Sequence, residues 1–233
     1  MRTHIRLKLD MAGRAAEFCR AHPDDNASSK QVADRLTELV TRADTLAREQ
    51  RGGVVAASAA VDQKSQLRGA IREHLASLVG IARAAAKEHP DITVHRRMPP
   101  ARGNEVTFLT TARVAVAEAE ALKQTLAPFG LSDELLTTLN QELDGYQAAL
   151  ARQRTGVTTQ VGAGAELANV TAAIMSVVRN LDAIHRIRFT GDQERLAAWY
   201  SARNVAWRTL PSAAATPAPT PAPAPSGDLP KAA

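Results

Sequence analysis

The stretch that decides the fold runs from Val54 to Lys87 and reads VVAASAAVDQKSQLRGAIREHLASLVGIARAAAK. Apolar side chains recur at Leu67, Ile71, Leu75, Leu78, Ala82 and Ala85, in steps of three and four residues. That spacing is the stripe of a helix packed along one face. At 1.5 Å per residue such a helix is about 50 Å long, enough for the spine of a domain. A second stretch, Val157 to Arg188, has the same character, with Leu167, Val170, Ile174, Val178, Leu181 and Ile184 as its stripe.

The rest of the chain reads outward from these two. Residues 3–20 form a first helix with Ile5, Leu9, Ala12, Ala16 and Cys19 on one side, ended at His22-Pro23 because proline disfavours helix in the residue before it. Ser28 with Gln31 has the capping-box spacing and starts a second helix, carrying Val32, Leu36, Leu39, Ala43 and Leu46. Arg51-Gly52-Gly53 reads as a break before the third helix. An irregular segment with Pro99-Pro100 and Gly103 follows it. Asn104 caps a fourth helix, residues 105–127, and Ser132 caps a fifth, with Asp133 and Glu134 in the first turn where carboxylates favour the helix dipole. Thr155-Gly156 reads as the break before the sixth. A short helix containing Trp199 caps one end, because half of the eight aromatics lie between Phe189 and Trp207. From Pro211 the composition turns to proline and alanine, and 211–233 is expected to be a disordered, polyproline-like tail.

An internal repeat ties the halves together. LAREQRGGV at Leu46 to Val54 resembles LARQRTGV at Leu150 to Val157 with one residue deleted. An offset of 103 then places Leu67 on Val170, Ile71 on Ile174, Leu75 on Val178 and Leu78 on Leu181. The expected fold is therefore an all-α, elongated helical bundle. It has six main helices, as two pseudo-repeated three-helix units over 3–89 and 105–189, and a short C-terminal capping helix. The bundle occupies residues 1–210.

Composition limits the function. Of 233 residues, 45% are hydrophobic, many of them alanine, so the core is built from small side chains. A single cysteine forms no internal disulfide, the basic N-terminus lacks an apolar core for a secretory signal, and no stretch approaches 18 uninterrupted apolar residues. A cytoplasmic protein without a membrane span is expected. The net charge of +5 is uneven: residues 105–150 carry seven acids against two bases. Basic positions gather at the two expected hairpin tips, with Arg48 and Arg51 in one and Arg152 and Arg154 in the other, and in the loop that holds Arg96, Arg97 and Arg102. Arg51, Arg154, Arg96, Arg97 and Arg102 are the candidate positions for an anionic or other partner.

Catalytic patterns are scarce. Asp182-x-x-His185 has no second copy to complete a di-metal bundle site, and no zinc-ligand spacing, phosphate loop or nucleophile elbow occurs. Cys19 stands beside Arg20 and near His22, which would lower its pKa, yet it lies on the apolar stripe where a thiol is a small core group. No enzyme activity, cofactor or metal is expected. The segments GNEVTFLTTA and GLSDELLTTLNQEL, RIRF at Arg186 to Phe189, and LAAWYSARNV resemble a family of uncharacterised bacterial all-helical proteins. That resemblance implies a bundle over most of residues 1–208 and a bacterial source, and no activity. The expected role is a non-catalytic interaction or scaffold bundle that binds a protein partner or itself. The alternatives are phosphate-backbone binding to nucleic acid through the basic tips and loop and, more weakly, a small-ligand or metal-binding bundle.

Overall fold

The computed structural model describes residues 2–89, 98–99 and 103–205. Arg96, Arg97, Arg102 and the proline-rich tail lie outside the described residues. The helices are α1 (Thr3–Ala21), α2 (Ala27–Glu88), α3 (Glu105–Ala121), α4 (Lys123–Leu126), a single 3-10 turn (Ala127–Phe129), α5 (Asp133–Arg188) and α6 (Gln193–Ala202). No strand occurs among the described residues, and the chain is an all-α bundle.

The largest departure from the sequence reading is continuity. Neither Gly52-Gly53 nor Thr155-Gly156 breaks a helix: α2 is one helix of 62 residues and α5 one of 56. The two run side by side, with the start of α2 against the end of α5. Arg42 pairs with Glu166 near one end, and His74 pairs with Glu142 toward the other. The expected hairpins, and with them the three-helix units folded back on themselves, do not form. The reason is the contact that the glycines make. A Cβ on Gly53 would stand 2.7 Å from the Gly156 carbonyl oxygen and 2.8 Å from the Gln160 nitrogen. A Cβ on Gly156 would stand 2.8 Å from the Ala57 nitrogen. These glycines let two backbones touch, and helix-helix packing offsets the roughly 1 kcal/mol that each loses against alanine in a helix.

The core splits into two clusters on either side of that crossing. One joins Ile71, Leu75 and Leu78 of α2 to Phe108, Ala112 and Val116 of α3 and Leu136, Leu139, Leu143 and Tyr146 of α5. The other joins Met11, Ala12 and Phe18 of α1 to Leu36, Leu39 and Leu46 of α2, Leu167, Ile174 and Leu181 of α5, and Trp199 of α6. The expected cap is there: Trp199 is fully buried and is the one buried residue of α6. Ser132 and Asn104 cap α5 and α3 as expected, accepting from Leu135 N and Val106 N. At α2 the cap is Asn26 in place of Ser28, its side chain accepting from the Ser28 and Ser29 amides. α3 ends earlier than expected, at Ala121, and α4 and the 3-10 turn lead to Gly130, whose φ of +104° suits glycine.

Candidate functional site

The middle of the α2–α5 pair is where a surface is left over. Along α2, the only residues buried between Leu46 and Ile71 are Gly53 and Ala60. Along α5, the only ones between Leu150 and Leu167 are Gly156 and Ala163. Each cluster has a third helix over it, α3 at one end and α1 at the other, but the middle buries nothing larger than alanine. Both helices are also uncharged here, over Gly52–Val61 and Thr155–Ala165, in a chain whose charged fraction is 23%. Val54, Val55, Val61, Val157 and Val161 stay exposed, Val161 at 64%. None of these valines lines the groove of about 610 Å³ that crosses the pair; its lining includes Gly52, Gly53, Ala56, Ala60 and Gly156, with Glu49 and Arg152 at its edges. Arg152 donates to Gln63 Oε1 at 2.8 Å. Within α5, an 18-residue window has a mean hydropathy of 1.5 and is 33% buried, so by length and composition this one helix is apolar enough to cross a membrane. In the fold it lies along α2.

Arg51 and Arg154 are not at hairpin tips. Each is exposed and stands two positions before the glycine of the crossing, about 200° round its helix from the contact face. The structure therefore turns the two arginines away from the opposite helix. Arg154 borders a shallow depression with Val106, Leu109 and Gln147.

A second constellation, unseen in the sequence, sits at the α1–α6 end. His185 Nε2 lies 3.6 Å from Cys19 Sγ, across 166 residues of chain. Phe189 stacks on the imidazole, and Phe18 and Trp199 meet it edge-on. His185 is 3% exposed, and its Nδ1 has no hydrogen-bond partner among the described residues. Burial, then the nearby Arg188 guanidinium, holds its pKa down at about 4. Burial pushes the Cys19 thiol up to about 11, overriding Arg188, so the expected lowering does not occur. Both groups are neutral at pH 7, and a neutral thiol beside a neutral imidazole is not an activated nucleophile. The two line a cavity of about 480 Å³ with His22, Asp24, Lys30, Asp34 and Arg188. Arg188 is occupied there, donating to the His22 and Pro23 carbonyls at 3.0 and 2.6 Å. Asp182, the other half of the Asp-x-x-His pattern, accepts from Trp199 Nε1 at 3.0 Å and pairs with Arg186 and Arg203. Among the described residues, no group of three His, Cys, Asp or Glu side chains is placed to hold a metal ion.

Charge-free runs on both helices were the sequence signal for the middle surface. Nothing in the spacing pointed to Cys19 and His185. In comparisons with known proteins, no family model, curated protein or solved structure matches this chain.

Proposed function

We propose that this protein is a non-catalytic interaction module whose docking surface is the uncharged middle of the α2–α5 pair. The observation that carries this is the gap in the core. About 24 residues of α2 bury only Gly53 and Ala60, and beside them an uncharged groove lined by Gly52, Ala56, Ala59, Thr155 and Thr159 stays open. A partner helix with an apolar, uncharged stripe fits such a groove, its large side chains filling the space above Gly52 and Ala56. Glu49 and Arg152, at the groove's edges, give it opposite charges with which to orient that helix.

A duplication belongs to the same reading. The offset of 103 that aligns the two long stripes also lays Gly53 on Gly156 and α1 on α3. Two copies of a short-helix, long-helix unit, packed about a pseudo-twofold axis at the glycine crossing, account for both. The docking groove then lies on that axis.

The test is capture of the full-length protein from its native lysate with nuclease present, beside the variant Ala56→Lys/Thr159→Lys, which puts two charges into the groove. Both positions are exposed, so the fold should survive the substitution. A stoichiometric protein partner that is lost from the variant supports the proposal. Association that disappears with nuclease would favour nucleic acid, and a partner held equally by the variant would move the docking surface elsewhere.

A further inference from the structure

We propose that His185 is an acid-sensitive latch: its protonation releases α6 and the end of α1 from the bundle while the opposite end stays folded. The geometry begins with the imidazole. It is enclosed by Phe18, Phe189 and Trp199, with Nε2 turned to Cys19 Sγ and Nδ1 unpartnered. An imidazolium needs a donor's partner at both nitrogens. Here one would face a sulfur, a weak acceptor, and the other would face nothing.

Two carboxylates nearby, Asp24 and Asp182, favour a charged ring, but both are committed to other partners and are outweighed by burial and Arg188. From α1 come the neutral Cys19 thiol and His22; from the α1–α2 turn comes Asp24, taken up by the Asn26 amide and Arg188. α2 brings Lys30 and Asp34, which line the same cavity. α5 brings Arg188, of the wrong sign, and Asp182, already shared by Trp199, Arg186 and Arg203. α6 brings Trp199 against the ring, and its Arg203 C-cap goes to Asp182. The cavity that His185 lines is walled by α1, α2 and α5, and the ring itself is 3% exposed; lifting Trp199 of α6 off the imidazole uncovers the ring to water.

The response is confined to one end. Buried polar or charged side chains among the described residues are Ser29, Thr171 and His185, and His185 is the one that titrates in acid. None of the three lies on the stretches of α2 and α5 that carry the α3 cluster, Ile71 to Ala85 and Leu136 to Leu150. α6 is also lightly held: it has ten residues, one of them buried, and follows a turn at Thr190–Asp192.

The sign follows from the two protonation states. In the closed state the imidazole resists protonation to about pH 4. Once exposed it takes a proton near 6.5. Opening is therefore favoured up to about tenfold per pH unit as pH falls below 6.5, reaching roughly 150-fold at pH 4 and levelling off near roughly 300-fold below it.

The experiment uses the full-length chain with Trp207→Phe, which leaves Trp199 as the single tryptophan. Its emission and near-ultraviolet circular dichroism are followed from pH 8 to pH 4, with far-ultraviolet dichroism alongside. The expected result is a red shift of Trp199 emission in acid with most helix retained. Hydrogen exchange, corrected for intrinsic pH dependence, should show α6 and the end of α1 opening faster while α3 keeps its protection. In His185→Gln on the same background, the acid transition should vanish. Exchange on the chain that keeps His185 stands as a second readout if His185→Gln does not fold. An unchanged Trp199 signal down to pH 4, simultaneous loss of protection in α3 and α6, or the same transition in a folded His185→Gln would each overturn the proposal.

Discussion

Gly53 and Gly156 show how one atom decides the fold at the residue scale. Alanine is the better helix former by about 1 kcal/mol, so in an isolated helix either substitution would stabilise. Here the added Cβ meets backbone at 2.7–2.8 Å, which cannot swing aside as a side chain would. Gly53→Ala and Gly156→Ala are expected to destabilise by about 1–3 kcal/mol net, the usual range for overpacking. Gly52→Ala meets nothing within 4 Å and should be neutral or raise stability by up to about 1 kcal/mol. Urea unfolding of the three variants checks the order; a stabilised Gly53→Ala would mean that the helices do not touch there. His185 carries the residue-scale pH prediction. Its folded pKa of about 4 lies below the unfolded value of about 6.5, so the unfolded chain binds more protons between the two. Stability from this group is complete above pH 6.5, is lost as pH falls toward 4 and then levels off, a change of about 3 kcal/mol that urea midpoints across that range would record.

At the scale of the element, much was legible. Leu36 to Leu46, Ile71 to Leu78, and Leu167, Ile174, Val178 and Leu181 are buried as their stripes require, with Val170 and Ile184 half-buried beside the buried Thr171 and His185; the caps at Asn104 and Ser132 are in place, because both signals are local. Helix continuity was not legible. A Gly-Gly pair looks like a break unless one knows that its neighbour is Gly156, 103 residues away, and a contact across that distance leaves no mark on local periodicity. The same limit hid Cys19 and His185 from each other, and it put Arg51 and Arg154 at tips that do not exist. The two readings of residues 27–88 differ measurably. In a continuous helix Arg35 and Ser77 are about 63 Å apart; in a hairpin bent at Gly52 they would be within about 20 Å. Dyes placed at Arg35→Cys and Ser77→Cys, in a Cys19→Ala background, should show low energy transfer. High transfer would restore the hairpin.

For the whole molecule, the question is how two cores joined by a two-helix bridge behave together. The α1–α6 cluster and the α3 cluster share α2 and α5 but meet across a stretch that buries only Gly53, Ala60, Gly156 and Ala163. Small side chains bring backbones close but remove little apolar area from water, so this bridge transmits less stabilisation than either end. Leu36 and Leu139 are both fully buried, one in each cluster. Leu36→Ala and Leu139→Ala should each cost about 2–5 kcal/mol where they sit. If the ends are only loosely coupled, Leu36→Ala speeds hydrogen exchange in α1 and α6 and spares α3, and Leu139→Ala does the reverse. Equal loss of protection at both ends, from either substitution, would show a single cooperative unit. The middle would then be a stiff coupling element, and a partner docked on it would be expected to stabilise both ends alike; with loose coupling, the partner instead supplies the third helix that the bridge lacks.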